Sequence, residues 1–292
     1  MGFGEDSPGG LGFAIGRGGA PIVAIVTDSS AALEAATAAA NGIAVARMRI
    51  TVGGVAYLDG DLSLEELIAR YDEGVTTAGP APGDFARLLA ELPGEVLVLT
   101  VTESLSSTIA SARVAAAEAG PRVRVVDSGT SAGSLALVAL HAAAVARNGG
   151  TFDEVEQAAR RAMARVRLVV QVGTLDYLVR GGRMPGAVGG LASRLGVRPM
   201  VQVRDGRLRR LRPAFSKRAA DRRMIEMLLR SRPGGAKLHV VGLHVLAEEE
   251  ARALLARVRA AVVPATELVA RFGASMVVHT GPELSGLSWW WE

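Results

Sequence analysis

The chain has 292 residues, with 33 Lys or Arg against 29 Asp or Glu for a net charge of +4, and no cysteine. That composition excludes disulfides, thiolate metal sites and cysteine nucleophiles, does not demand wholesale nucleic-acid binding, and suits a reducing cytoplasm, where we expect the protein to reside. Hydrophobic residues make up 49% of the chain and aromatics only 4%, so an interior or pocket has to be aliphatic and smooth; at this length the core is expected to divide into two domains.

Residues 1–20 are rich in glycine, carry Glu5, Asp6 and Arg17, and lack the basic start and apolar stretch of a signal peptide, which predicts a flexible tail. From 21 to 167 short apolar runs alternate with Ala/Leu/Glu-rich segments: IVAIVTD, a helix-like stretch from Ser30, IAVARMRITV, EVLVLTV and RVRVVD. This alternation predicts an N-terminal α/β domain with a mostly parallel sheet and helices on both faces. The runs end in TDSS (27–30), TESLSST (102–108) and DSGTS (127–131), at the carboxyl ends where open α/β sheets bind ligands. Residues 131–146 form the longest apolar stretch, carry His141 and fall short of the ~20 needed to span a bilayer, so they read as a buried helix.

A second α/β domain, 168–292, opens with RLVVQVGTL and VRPMVQVRDGRLRRLRPAF, where Asp205-Gly206 is a hairpin turn between strands and predicts a mixed or antiparallel sheet. Helices are expected over 217–229 and 247–258, with strands at KLHVVGLHV and 267–272. Trp289 to Trp291 read as a terminal strand packing on this domain.

Gly129-Thr130-Ser131-Ala132-Gly133 matches the nucleophile elbow G-x-S-x-G in its strand-to-helix context, and Asp205 or Asp221 and then His279 follow in hydrolase order. No His-Gly-Gly loop precedes it, and Ser/Gly clusters after strands commonly cap helices. His239 and His244 lie an odd number apart on one strand and cannot chelate a metal together. Paired carboxylates, a Walker loop and a dinucleotide fingerprint are absent from the pattern. Nine Lys or Arg between Arg204 and Arg223 against Asp205 and Asp221 give that stretch a local charge of +7 (nine minus two). It is a solvated face or a docking surface for an acidic protein, then an anionic membrane, then nucleic acid. The remaining hydroxyls and basic groups at element ends, Thr76, Thr77, Ser104, Ser106, Ser107, Thr108, Arg180, Arg183, His279 and Thr280, suit a small anion.

Five segments, IVTDSSAAL (25–33), VTTAGPAPGDF (75–85), SLSSTIASA (104–112), TLDYLVRGGRM (174–184) and HTGPE (279–283), resemble in order the DegV family, the fatty-acid-binding subunits of bacterial fatty-acid kinase. Ala78-Gly79 stand where the family has Ser-Gln, and Ser107 where glycine is usual. The resemblance implies a two-domain protein without catalytic residues, metal or cofactor. One long-chain fatty acid would be its ligand, buried between the domains. It implies Thr77 and Ser106 as carboxyl-binding residues, His279 with Arg180 or Arg183 shaping or neutralising that end, and Ser107 and Thr280 in support. A kinase partner would phosphorylate the carboxyl to an acyl phosphate, with Arg204, Arg207, Arg209 and Arg210 as the expected docking face for that partner or for an anionic membrane. A Ser131 esterase and a lipid-sensing regulator are the alternatives.

Overall fold

The computed structural model describes residues 23–185 and 196–292; the expected tail, 1–20, lies outside the described residues. In chain order the first half runs β1 (Ala24–Asp28), α1 (Ala35–Ala40), β2 (Ile43–Ala46), β3 (Arg49–Val52), β4 (Val55–Leu58), α2 (Leu64–Ala69), β5 (Val75–Ala78), α3 (Pro82–Glu91), β6 (Val96–Thr100), α4 (Thr108–Ala119), β7 (Val123–Asp127), α5 (Ala132–Arg147) and α6 (Phe152–Met163). The second runs β8 (Arg167–Val172), α7 (Asp176–Arg180), β9 (Arg198–Arg204), β10 (Arg207–Ala214), α8 (Lys217–Arg230), β11 (Leu238–His244), α9 (Glu248–Ala261), β12 (Thr266–Arg271), α10 (Ala274–Thr280) and β13 (Leu284–Trp291).

Three sheets result. Strands β2-β1-β6-β7 form the expected parallel sheet, and β1 and β6 are buried along their whole length because helices cover both faces. Strands β10-β9-β8-β13-β11-β12 form the expected mixed sheet, in which only β11 and β12 run parallel. The third, an antiparallel β4-β3-β5 sheet, departs from the expected pattern: IAVARMRITV reads as one apolar run, but it breaks between Ala46 and Arg49 and sends its two halves to different sheets. The helix expected from Ser30 begins only at Ala35, since Ala32 takes a left-handed φ of 53° that ends a short turn over Ser29–Ala31.

Helices α3 and α4 pack one apolar cluster onto the outer face of the parallel sheet, and α8 and α9 pack another onto the outer face of the mixed sheet. Between the sheets lies the largest cluster, shared by both halves and centred on α5, whose residues Ala132–Ala139 are all buried. Gly133 on α5 sits so close to β11 that a Cβ there would lie 2.9 Å from the Val241 side chain. The tryptophan strand is not at an edge: β13 is flanked by β8 and β11, with Trp289 and Trp291 facing the outer cluster. Trp290 faces the inner one, edge-on to His141 with the ring centres 4.7 Å apart.

The β9–β10 hairpin turns through Asp205 and Gly206, both at positive φ (53° and 71°), as the Asp-Gly pair predicts. Its tip reaches across to the first half: the Gly206 N–H donates to the Gly129 carbonyl at 2.9 Å, and the Thr102 hydroxyl donates to the Gly206 carbonyl at 3.4 Å.

Candidate functional site

A cavity lies between the two halves, at the carboxyl ends of β1 and β6. One wall is the inner face of β8, β9 and β10. Leu168 pairs with Val203 and Val203 with Leu208, while Val170 pairs with Val201, so alternate residues on three strands form two aliphatic rows facing the cavity. Phe272, Met276, Met48 and Val101 complete a surface with few directional contacts. The opposite end is polar, and residues from four elements meet there.

Thr77 sits on β5, where its Oγ1 lies 2.7 Å from the His279 Nε2 of α10. That contact joins residues 202 positions apart and depends on how α10 is held. The Ser275 hydroxyl of α10 donates to Asp59 at 2.5 Å, and the Tyr71 hydroxyl donates to the Val278 carbonyl at 2.6 Å, so a helix of the second half is fastened to the first at two points. His279 is largely desolvated and faces Arg183; burial first and the neighbouring guanidinium second pull its pKa from 6.5 to about 4, so the imidazole is neutral near pH 7. Its buried Nδ1 has no hydrogen-bond partner among the described residues. Gly181 makes this placement possible, because a Cβ there would stand 2.2 Å from Nδ1.

Arg183 follows the Gly181-Gly182 turn after α7. Its Nε donates to the Leu105 carbonyl at 3.1 Å and its Nη1 to the Gly181 carbonyl at 2.5 Å, which fixes the fork at the cavity. Burial lowers its pKa from the ordinary arginine value, yet among the described residues it has no carboxylate partner. Ser106 and Ser107, ahead of α4, line the same end; the Ser106 hydroxyl pairs with Thr108 Oγ1 at 2.8 Å and accepts the Thr108 N–H at 3.3 Å. Gly79 lets β5 approach α4: a Cβ would come within 2.7 Å of Thr108 Oγ1. Thr280 lines the cavity but spends its hydroxyl on the Met276 carbonyl at 3.2 Å. A half-desolvated cation, a neutral imidazole and hydroxyls at one end of an aliphatic cavity suit an amphipathic monoanion.

The structure thus brings together Thr77, Ser106, Ser107, Arg183, His279 and Thr280. It does not bring in Arg180, which is exposed at the end of α7 with its guanidinium 4.9 Å over the Tyr177 ring and 5.5 Å over that of Tyr71. Arg204, Arg207, Arg209 and Arg210 are exposed on the hairpin and do not line the cavity. Ser131 lines the cavity, but its elbow assembles no relay: His279 is engaged with Thr77, Asp221 bonds Arg257 at 3.2 Å, and Asp205 lies 3.5 Å from Arg204 at the hairpin tip. The glycines of the motif serve packing, Gly129 against the hairpin tip and Gly133 against β11. Among the described residues no group of three or more His, Asp or Glu could hold a metal ion, and no helix is long and apolar enough to cross a membrane.

Two carboxylates escaped the sequence pattern. Asp28, fully buried at the end of β1, accepts the Val101 N–H at 2.7 Å and both the N–H and hydroxyl of Ser30. Desolvation outweighs these donors and raises its pKa to about 6. Asp59, also buried, accepts the hydroxyls of Ser29 at 2.8 Å and Ser275 at 2.5 Å.

The fold and the cavity define an α/β protein with an aliphatic cavity, polar at one end, between a parallel and a mixed sheet. The family model described as "Uncharacterised protein, DegV family" matches residues 22–292, and the chain belongs to the DegV family. It is 38% identical over 273 residues to a DegV domain-containing protein of Streptomyces coelicolor, covering 91% of this chain and 97% of that one. It is 31% identical over 216 residues to a fatty acid-binding protein of Thermotoga maritima, covering 72% of this chain and 75% of the relative. A solved DegV family protein of Thermus thermophilus, described by its fatty acid binding, superposes with a TM-score of 0.86 at 28% identity over 93% of this chain and all of the other.

Proposed function

We propose that this protein binds a single long-chain fatty acid in the inter-sheet cavity and presents its carboxyl group to an ATP-using kinase partner that forms the acyl phosphate. The observation that carries the reading is Arg183, a half-desolvated cation without a carboxylate partner among the described residues, at the polar end of an aliphatic cavity. A carboxylate there would take the free side of the guanidinium and the Thr77 and Ser106 hydroxyls, leaving the tail along Leu168, Val170, Val201, Val203 and Leu208. Burial of a methylene is worth ~0.8 kcal/mol, so about fourteen of them give on the order of 11 kcal/mol before ordering costs, enough for retention through purification. The relatives described by fatty acid binding support the ligand class. This chain would act as carrier, with turnover residing in the partner.

Native mass spectrometry of the purified protein, followed by extraction of the released molecule, tests the reading. The expected result is one co-purified fatty acid that is lost or greatly reduced in a Thr77→Val, Ser106→Ala double variant. A protein that stays empty after incubation with a range of fatty acids would overturn it.

The exposed arginines of β10 supply the docking face for the acidic surface of the kinase, or of an anionic membrane on which product leaves. Arg207, Arg209 and Arg210 have no acidic partner within ion-pair distance among the described residues, so their field reaches solvent. Charge reversal at these three positions is expected to weaken both kinase coupling and vesicle association at low salt; no change in either removes the docking role.

A further inference from the structure

Three serines interrupt the cavity's aliphatic lining away from the carboxyl-binding corner: Ser30, Ser131 and Ser275, all buried. Two of them have already spent their protons. The Ser30 hydroxyl donates to Asp28 and the Ser275 hydroxyl to Asp59, each at 2.5 Å. Both acceptors are buried carboxylates that also collect backbone N–H donors, from Val101 and Ser30 in one case and from Ser275 in the other. A hydroxyl whose hydrogen is held this way offers only lone pairs on its other side. The two elements meet at Asp59, one oxygen of which accepts from both Ser275 and Ser29, the chain neighbour of Ser30. Both serines line the cavity, so their remaining lone pairs are offered to it, backed by two buried carboxylates. Ser131 joins them without a hydrogen bond to a histidine or a carboxylate among the described residues.

Such a belt rejects a carboxylate and accepts a neutral donor. Resting on the fatty-acid reading above, we infer that this chain is selective for acyl chains carrying a hydroxyl a few carbons from the carboxyl end, which Ser30 and Ser275 accept as a hydrogen-bond donor. The position follows from α10, which carries both Ser275 and His279: four residues at ~1.5 Å each separate them by about 6 Å along the helix, the length of about four or five methylenes. A hydroxyl at about the fifth carbon meets the belt. One much farther along meets aliphatic side chains of the lining, which accept no hydrogen bond.

The test is direct binding of three ligands to the purified, delipidated protein: hexadecanoic acid and its two isomeric hydroxylated derivatives, one with the hydroxyl on the fifth carbon and one with it on the twelfth. The fifth-carbon isomer is expected to bind more tightly than the parent acid and about tenfold more tightly than the twelfth-carbon isomer, the range one made against one unmade hydrogen bond spans. In a Ser30→Ala, Ser275→Ala double variant the ratio between the two isomers is expected to collapse toward one. Because the isomer ratio in the unaltered protein is itself decisive, a variant that failed to fold would not rescue or spare the inference. Equal binding of the two hydroxylated isomers, with the parent acid bound, overturns the belt's selectivity and leaves the carrier reading standing. Failure of all three to bind overturns both.

Discussion

Replacement of Arg183 by methionine is expected to lower affinity for a long-chain fatty acid by about a hundredfold or more, the largest loss of any single polar change at the site. Truncating one partner of a desolvated, hydrogen-bonded charge pair costs roughly 2–5 kcal/mol, because the other charge is left in a poorly solvated place. Here the orphan would be the ligand carboxylate, with only hydroxyls and a neutral imidazole around it. Arg183 also donates to the Leu105 and Gly181 carbonyls, so the variant loses stability as well, and binding alone does not separate the two effects. The titration of His279 does. Burial is the main cause of its low pKa and Arg183 the second, so removing the guanidinium must raise it from about 4 toward the ordinary 6.5. In linkage terms, a histidine whose folded pKa lies below its unfolded value contributes stability that is present above pH 6.5 and lost as pH falls toward 4; in the variant that window narrows. Isothermal titration with a fatty acid and NMR titration of the imidazole check both parts. A lower melting temperature with unchanged affinity and unchanged His279 titration would make Arg183 a structural residue only.

The same arginine shows what could be read from the sequence and what could not. TLDYLVRGGRM offers Arg180 and Arg183 with equal claim, since both are basic and flank two glycines. What separates them is a turn: α7 ends at Arg180, and Gly182 at a φ of 72° redirects the chain so that Arg183 enters the cavity while Arg180 stays over two tyrosine rings. The sheets were legible where burial is extreme, as in VLVLT of β6, and where a turn has its own chemistry, as in Asp205-Gly206. The β4-β3-β5 sheet was not, because its strands are four residues long and their pairing is with each other rather than with the neighbouring runs. Asp59 was invisible for a different reason. Its partners are Ser29 and Ser275, 30 and 216 residues away, and no local pattern distinguishes a carboxylate that will be buried beside two hydroxyls from one that will face water. The elbow motif was misleading in a related way, since its glycines answer to the hairpin tip and to β11, contacts that exist only once the two halves have met.

A single methyl group at Gly181 is expected to do nearly as much harm to the site as loss of Arg183, through His279 rather than through charge. Gly181 has a φ of −75°, in the right-handed helical region, so alanine is tolerated by the backbone and the whole cost is steric. The new Cβ would lie 2.2 Å from His279 Nδ1 and 3.1 Å from the Tyr177 carbonyl, the second tight and the first impossible without movement. The imidazole must swing out, which breaks its 2.7 Å contact with Thr77 and turns the ring into the space the carboxyl group would occupy. Overpacking of this kind costs about 1–3 kcal/mol of stability, and ligand retention is expected to fall with it. Gly182 is the contrasting position: a Cβ added there would meet nothing within 4 Å, and only its positive φ resists alanine, so Gly182→Ala should cost stability while leaving the His279–Thr77 contact alone. The decisive measurement is a double-mutant cycle, because two residues in contact couple and two that are not do not. If Gly181→Ala acts by displacing the imidazole, adding His279→Ala must recover part of the lost stability, and thermal denaturation of the four proteins would show it. Additive losses would mean that the methyl group clashes chiefly with the Tyr177 carbonyl, and that the close approach of α7 to α10 matters more than the histidine it holds.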